Sequence, residues 1–139
     1  MLVFLDFYPG LFPEFAEIKA RPVDYYLAEQ LDREPLVQLP FEKAEDQENT
    51  YYTLIHNKPY IGGFFNAFPP PQYTRIMPIL QEFPDEASLA LLNQYEVKYI
   101  LVDSCCYDDM ASIQSFLEAN NMDFIGQFEE QYLFINQDK

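Results

Sequence analysis

Several residue types that build catalytic and cofactor sites are scarce in this sequence, which has one histidine, four glycines, two cysteines and no tryptophan among 139 residues. The glycines form neither G-x-G-x-x-G nor a phosphate-binding loop before Lys-Ser/Thr, so dinucleotide and nucleoside triphosphate sites lack their backbone donors. A single histidine excludes H-E-x-x-H and metal sites built from several histidines. G-x-S-x-G is also absent. The sequence therefore predicts no catalytic residue, no metal ligand and no cofactor.

The two cysteines are neighbours, Cys105 and Cys106, in the stretch "DSCCYDD". There is no spaced pair for a disulfide framework and no C-x-x-C, so neither a disulfide-rich secreted fold nor a thioredoxin-like redox site is supported. A bond between adjacent cysteines strains the peptide that joins them. We interpret the pair as two small residues after a buried strand, with metal or redox chemistry as the alternative.

Basic residues are also scarce, with 8 Lys and Arg against 23 Asp and Glu and a net charge of −15. Because nucleic-acid affinity comes mainly from cations that displace condensed counterions, this balance predicts no nucleic-acid partner and no anionic membrane partner. No window approaches the roughly 18 apolar residues of a membrane span. The N-terminal residues have no basic region and contain Asp6 and Pro9, so they do not read as a signal peptide.

Length and composition predict the domain organisation. The hydrophobic fraction is 49%, with 13 Phe and 11 Tyr, which is enough for an aromatic-rich core without disulfide or metal support. We expect residues 1–20 to form an N-terminal arm or juxtamembrane segment, with a short strand at residues 2–7 as the other interpretation. Residues 21–139 are expected to form a single soluble α/β domain.

Helical and extended patterns alternate along the domain. Strands are predicted in "PLVQLPF", in "VKYILVD" and in a C-terminal β-hairpin, "DFIGQFEEQYLFIN". Helices are predicted in "RPVDYYLAEQL", "NTYYTLIHN", "PPQYTRIMPILQEFP", "DEASLALLNQY" and "DDMASIQSFLEANN". The continuous apolar character of "VKYILVD" favours a central strand covered on both faces. The fold class is therefore predicted as α/β, with a mostly parallel or mixed central sheet flanked by helices.

Periodicity also predicts which side of each helix is buried. In chain order, the expected buried residues are Val23, Tyr26, Leu27 and Gln30 or Leu31; Tyr51, Leu54 and Ile55; Ile76, Ile79, Leu80 and Phe83; Ala87, Leu91, Leu92 and Tyr95; and Met110, Ile113 and Leu117. Asp85 is predicted to accept hydrogen bonds from the first turn of its helix.

Three carboxylates follow the strand "VKYILVD", where open α/β sheets place ligands. Asp103, Asp108 and Asp109 are oxygen ligands of the kind that a hard cation such as Mg²⁺ prefers. The interpretation we favour is structural, because Asp108 or Asp109 stands where it caps the following helix and Asp103 is then solvated.

The stretch "HNKPYIGGFFNAFPPPQY" combines polar groups with aromatic rings. The candidate ligand-binding residues here and one turn earlier are Tyr52, His56, Asn57, Lys58, Tyr60, Phe64 and Asn66. Aromatic faces stack on the C–H faces of sugars while amides bond to hydroxyls, so this set suits sugar or lipid-linked sugar recognition. Gly62 and Gly63 permit positive φ or a close backbone approach. The alternative is an aromatic loop that closes the core, with His56 hydrogen-bonded at a helix end.

The order of five segments resembles a known class of proteins. "RPVDYYLAEQ", "PLVQLPF", "YYTLIHNKPYIGGFFNAFPPPQY", "LQEFPDEASLALLNQYEVKYILVD" and "GQFEEQYLFIN" are similar to the C-terminal soluble part of bacterial multi-pass membrane glycosyltransferase-like proteins of the mannosyltransferase type. The similarity covers about residues 21 to 135. This chain departs from the family pattern at Gly62, where Asn is usual, and at Asp103, where His is common.

The resemblance implies a context rather than a reaction. In proteins of this class, which use polyprenyl-phosphate sugars, the catalytic carboxylate lies in an extracytoplasmic loop near the first membrane helices, a region that the similarity does not include. The resemblance implies a non-catalytic domain on the extracytoplasmic face, joined to the transmembrane part of the same parent protein. It would help to bind or position the sugar acceptor or the lipid-linked donor.

Two further interpretations stay open. The domain is alternatively an acidic protein-interaction or assembly module with no sugar role, which would use the same exposed rings against a protein partner. It is otherwise a self-contained enzyme that uses Asp103, Asp108 and Asp109 with a metal.

Overall fold

The computed structural model describes residues 19–63 and 70–137, apart from the side chains of residues 43–45. The expected arm at residues 1–20 lies outside the described residues except for its last two positions. Phe64 and Asn66 of the candidate site also lie outside them.

Nine helices and strands follow one another within the described ranges. In chain order they are α1 (Pro22–Glu29), β1 (Leu36–Leu39), α2 (Lys43–His56), α3 (Pro71–Leu80), α4 (Glu86–Gln94), β2 (Tyr99–Asp103), α5 (Met110–Glu118), β3 (Met122–Phe128) and β4 (Gln131–Asn136). A short 3-10 turn, Ser104–Cys106, joins β2 to α5. Each helix and strand predicted from the sequence of the domain is present.

The four strands form one mixed sheet in the order β1-β2-β4-β3. β1 and β2 are parallel, while β4 runs antiparallel to both β2 and β3. β3 and β4 form the predicted C-terminal hairpin, whose turn places Glu129 at a φ of 54°. The α/β prediction is therefore confirmed, and β2 has the central, fully buried position expected for it.

Alternate residues of the strands supply two cores, one on each face of the sheet. On one face, Val37, Ile100 and Phe134 contact the buried sides of α3, α4 and α5. On the other face, Leu101 and Leu133 contact α1. Successive side chains of a strand point to opposite faces of the sheet. Because both faces are covered here, β1 and β2 are apolar at nearly every position. The exceptions are Gln38 and Asp103, which are polar residues at buried strand positions.

Two helices begin at aspartate capping residues, as the sequence predicts. Asp85 accepts a hydrogen bond of 2.7 Å from the backbone N–H of Ser88, and Asp109 accepts one of 3.0 Å from that of Ser112. Each carboxylate thus satisfies a free N–H group in the first turn of its helix. Asp109, not Asp108, is the cap of α5.

Two predicted buried faces are displaced. Leu31 lies beyond the end of α1 and is 99% exposed, because the helix ends at Glu29. On α4 the buried residues are Ser88, Leu89 and Leu92, whereas Ala87 is exposed. Ser88 is buried without an unpaired hydroxyl, since its Oγ donates to the Asp85 carbonyl oxygen at 2.8 Å.

The predicted apolar stripe of α2 is wrong. Tyr51 and Leu54 are 57% and 78% exposed, and the buried residues of this helix include Asn49, Tyr52 and His56. The interior side of this helix contacts other parts of the chain through polar groups: Arg21 lies over the ring of Tyr52, and the Tyr60 hydroxyl donates to Asp46.

Candidate functional site

The end of α2 directs the chain into the stretch that the sequence singles out. Asn57 adopts the left-handed conformation, with φ of 56° and ψ of 19°, and its N–H donates to the Thr53 carbonyl at 3.0 Å. Asparagine tolerates this conformation better than most residues, so it ends the helix. The chain then turns back along the outer edge of β1.

Residues 59–61 pair with the free edge of β1. The Leu36 N–H donates to the Pro59 carbonyl at 2.7 Å, and the Ile61 N–H donates to the Leu36 carbonyl at 3.1 Å. These two bonds form an isolated parallel bridge between Leu36 and Tyr60. They cover an exposed strand edge and fix the position of the following glycines.

A buried carboxylate holds the start of the glycine segment. Asp46, 1% exposed, accepts hydrogen bonds from the Tyr60 hydroxyl at 2.9 Å and from the Gly63 N–H at 2.8 Å. Burial, reinforced by Asp46, raises the pKa of the Tyr60 hydroxyl well above its ordinary value. Gly63 has a φ of 102°, which favours glycine. Tyr60 and Gly63 are therefore fixed by one side chain of α2.

A pocket of about 420 Å³, here called the glycine-loop pocket, lies between α2 and this segment. Its walls are Arg33, Thr50, Thr53 and Asn57, together with residues 58–60, 62 and 63. The structure thus brings together Asn57, Lys58 and Tyr60 of the predicted ligand-binding set. No carboxylate is among the described residues that line the pocket, although the chain carries 23 Asp and Glu.

Arg33 is the exposed cation of this pocket. Its guanidinium forms no ion pair or hydrogen bond with the described residues. Lys58, by contrast, is fully buried, and its ammonium donates to the carbonyls of Gln30 and Asp32 and to the Asp32 carboxylate at 2.6 to 2.8 Å. Of the two cations, only Arg33 has donors available to a ligand.

His56 is buried and does not line the glycine-loop pocket. Its Nδ1 accepts a hydrogen bond of 2.9 Å from the Lys58 N–H, which places the proton of the neutral ring on Nε2. Nε2 is buried without a hydrogen-bond partner among the described residues. Burial lowers the pKa of His56 to about 4, and the nearby Asp24 only partly offsets that effect.

The burial of His56 predicts that stability falls in mild acid. A group whose pKa drops from 6.5 to about 4 on folding contributes stability that is complete above 6.5 and is lost as pH falls toward 4. We expect the free energy of unfolding to fall by about 2 kcal/mol between pH 7 and pH 5. Urea unfolding at both pH values measures this, and His56→Gln should remove most of the difference. An equal pH dependence in the variant would contradict the assignment.

Tyr52 belongs to a second polar region. The Arg21 guanidinium lies 3.7 Å from the centre of its ring, and the Tyr52 hydroxyl donates a short hydrogen bond to Glu48. Burial and then Glu48 raise the pKa of this hydroxyl to about 12. Arg21 is held in turn by Asp24, which is fully buried and accepts from Nε and Nη2 at 3.1 and 2.9 Å.

A row of polar side chains crosses the sheet where the parallel strands β1 and β2 end. Gln38 accepts from Arg21 Nη1 at 2.9 Å and donates to Asp103 Oδ2 at 2.7 Å. Gln131, on β4, donates to Asp103 Oδ1 at 2.9 Å. Asp103 is 7% exposed, so the expectation that it is solvated is wrong. Two amide donors replace water around its carboxylate.

This row forms the floor of a cavity of about 210 Å³, here called the carboxyl-edge crevice. Its residues are Arg21, Gln38, Glu48, Asn49, Tyr52, Asp103, Cys105, Glu130 and Gln131. Open α/β sheets place ligands outside the carboxyl ends of their parallel strands, which is the position of this crevice. Of its residues, the sequence predicts Tyr52 as ligand-binding and Asp103 only in the alternative of a cation site.

The carboxylates of "DSCCYDD" do not form a metal site. Asp108 and Asp109 are exposed, Asp109 caps α5, and Asp103 bonds to glutamine amides. Within residues 19–63 and 70–137, no three His, Cys, Asp or Glu side chains converge as metal ligands do. Cys105 and Cys106 are exposed free thiols whose sulfurs lie 3.1 Å apart.

None of the helices in the described part of the chain is both long and apolar enough to span a membrane. No family model matches the chain, and no curated protein or solved structure matches it either.

Proposed function

We propose that the chain is a non-catalytic, extracytoplasmic domain of a membrane-bound glycosyltransferase, and that its glycine-loop pocket binds the sugar-phosphate part of a lipid-linked donor or acceptor. The resemblance of residues 21 to 135 to glycosyltransferase-like proteins motivates the context. The transmembrane part of the same parent protein would be its permanent partner.

One observation carries the ligand assignment. Arg33, whose guanidinium has no partner among the described residues, stands at a pocket whose described lining contains no carboxylate, on a protein whose net charge is −15. The net negative charge of the protein disfavours anion binding in general, so an anionic ligand would bind more readily beside Arg33 than on an acidic part of the surface. Guanidinium groups bind phosphate oxygens in a bidentate manner, which adds geometric selectivity.

The rest of the pocket suits a sugar attached to that phosphate. The exposed Asn57 side chain offers an amide to sugar hydroxyls, and the hydroxyl oxygens of Thr50 and Thr53 have lone pairs available. Tyr60 also lines the pocket, and an aromatic residue is typical of sites that contact the C–H groups of sugars. At about 420 Å³ the pocket is within the roughly 300–1,000 Å³ range of small-molecule sites.

Binding of hexose 1-phosphates to the isotope-labelled domain tests the proposal. We expect saturable NMR shifts at residue 33 and residues 50–63 with mannose 1-phosphate or glucose 1-phosphate, and weaker shifts with the free hexoses. Arg33→Ala should weaken the binding about tenfold, because it removes charge-assisted hydrogen bonds to phosphate.

Arg75→Ala is the matched control. Arg75 is an exposed arginine on α3 outside this pocket, so its removal changes the net charge equally and should leave the affinity unchanged. Equal weakening by both variants, or shifts scattered over the surface, would show that the attraction is non-specific and would remove the assignment.

A second candidate function rests on exposed apolar side chains. Tyr51 and Leu54 lie three residues apart on α2 and therefore on one side of it, and Tyr25 on α1 is 61% exposed. These residues favour an assembly module that contacts the transmembrane part of the parent protein. Absence of saturable binding by every hexose 1-phosphate would favour this function over the first.

A further inference from the structure

Two reactive side chains, Cys105 and Cys106, lie outside the glycine-loop pocket. Both are exposed, and their sulfur atoms are 3.1 Å apart. That separation is shorter than the roughly 3.5–4.0 Å at which two non-bonded carbon atoms rest. They are also the only two cysteines of the sequence. A disulfide within the chain can therefore join only these two.

The turn that carries the two cysteines is held by backbone hydrogen bonds. It is the 3-10 turn Ser104–Cys106, directly after the buried strand β2. The Ser104 N–H donates to the Glu130 carbonyl at 2.8 Å, and the Tyr107 N–H donates to the Ser104 carbonyl at 3.4 Å. Successive side chains of a 3-10 turn point about 120° apart, so the sulfur contact requires both side chains to turn toward each other. The turn therefore presents the thiols as a pair.

A bond between these sulfurs would be easy to close and easy to reduce. The sulfurs need to approach by only about 1 Å to bond. The peptide that joins the two residues is trans, which holds their Cα atoms about 3.8 Å apart, below the roughly 4.4–6.8 Å of ordinary disulfides. Strained and exposed disulfides are the labile ones. The pair is therefore suited to reversible oxidation rather than to permanent crosslinking.

The charges beside the turn favour some oxidants over others. Asp108 and Asp109 follow the turn and are exposed, and the exposed Glu130 lines the carboxyl-edge crevice together with Cys105. Arg21, the cation among the crevice residues, is already neutralised by an ion pair of 2.9 Å. An anionic oxidant is repelled by such a surface, whereas a cationic oxidant is attracted to it.

We propose that Cys105 and Cys106 form a thiol–disulfide exchange site that reacts with small cationic or neutral disulfides. One cysteine thiolate attacks a sulfur of the small disulfide, which forms a mixed disulfide and releases one small thiol. The neighbouring thiolate then attacks the bound cysteine sulfur and expels the second small thiol. One S–S bond forms in the chain and one breaks in the oxidant, which takes up two electrons and two protons from the cysteines.

The site does not include the glycine-loop pocket, so it stands whether or not that pocket binds a sugar phosphate. Three disulfides test it: cystamine is cationic, bis(2-hydroxyethyl) disulfide is neutral and glutathione disulfide is anionic. A small excess of cystamine should give a protein lighter by two hydrogen atoms, as measured by mass spectrometry, and dithiothreitol should restore the starting mass. At low salt we expect cystamine to react about tenfold faster than glutathione disulfide, with the neutral compound between them.

Two results would overturn the proposal. One is a main product that carries two half-cystamine groups or is a disulfide-linked dimer, because the thiols would then react singly. The other is an equal rate for cystamine and glutathione disulfide. Cys105→Ser and Cys106→Ser should each stop at a mixed disulfide with one half-cystamine group, because no neighbouring thiol is left to expel it. Both positions are exposed, so these variants should keep the fold.

Two further variants separate the charge beside the turn from the charge of the whole protein. Glu130→Gln removes an exposed carboxylate close to Cys105 and should slow the reaction with cystamine about three-fold. Glu29→Gln removes an equal charge from the exposed end of α1, outside the crevice, and should leave the rate unchanged. Equal effects of the two substitutions would contradict selection of the oxidant by the charges beside the turn.

Discussion

Replacing Asp32 with alanine is expected to lower the free energy of unfolding by about 3–5 kcal/mol. Asp32 Oδ1 accepts from the Lys58 ammonium at 2.7 Å, and Oδ2 accepts from the Lys98 ammonium at 3.0 Å and the Tyr99 hydroxyl at 2.7 Å. The Lys58 side chain is fully buried. Without Asp32 its charge would remain inside the protein with carbonyl oxygens alone, and an uncompensated buried charge is strongly destabilising.

The lowered pKa of Asp32 is consistent with its contacts to two lysines and a tyrosine. Burial by itself raises the pKa of its carboxyl, but the hydrogen bonds from Lys58, Tyr99 and Lys98 outweigh that effect and hold the pKa well below the ordinary value of 3.8. A carboxyl with a lowered folded-state pKa contributes stability that is present above 3.8 and is lost only as pH falls through the folded value. The interaction therefore persists in mild acid, where His56 already weakens the fold.

A double-mutant cycle separates the buried charge from other effects of the substitution. Lys58→Met removes the ammonium but keeps much of the apolar stem, so the Asp32→Ala/Lys58→Met protein should be more stable than Asp32→Ala alone. Asp123→Ala, at an exposed aspartate on β3, should change the urea midpoint little. Strict additivity of the two single substitutions would contradict a direct coupling between Asp32 and Lys58.

Most of the fold could be predicted because its determinants are local in sequence. The apolar run of β2, the two paired runs of the hairpin and the caps Asp85 and Asp109 each depend on a few neighbouring residues. The α2 stripe was mispredicted because periodicity assigns apolar residues to the core. In this helix the buried Tyr52 packs under Arg21 and the buried His56 bonds to Lys58.

The candidate sites were less predictable because their partners are far apart along the chain. The stretch around Asn57, Lys58 and Tyr60 was identified from composition, but the free cation beside it, Arg33, comes from the segment before β1. Sequence reasoning named Tyr52 and Asp103 in two separate candidate sites and did not join them into the crevice, although one further sequence feature indicates it. Gln38 interrupts a buried apolar strand, and a glutamine there requires partners that only the folded sheet supplies.

Replacing Gly62 with alanine is expected to lower the free energy of unfolding by about 2–4 kcal/mol. A Cβ at this position would overlap Asp46 Oδ1 and the ring of Tyr60. Neither group can move freely, because the Tyr60 hydroxyl and the Gly63 N–H both bond to the Asp46 carboxylate. Relief of the overlap would break at least one of these bonds and leave a buried polar group without its partner.

Gly126→Ala is the matched control for this substitution. A Cβ at Gly126 would meet its nearest neighbour, Phe128, at an ordinary contact distance of 3.8 Å, so we expect a change within about 1 kcal/mol. Urea unfolding of the two variants gives the comparison. If Gly62→Ala were as stable as Gly126→Ala, the inferred overlap between a Cβ at position 62 and the side chains of Asp46 and Tyr60 would be contradicted. The wall of the glycine-loop pocket would then not be set by that contact, and binding of hexose 1-phosphates by Gly62→Ala should equal that of the unsubstituted domain.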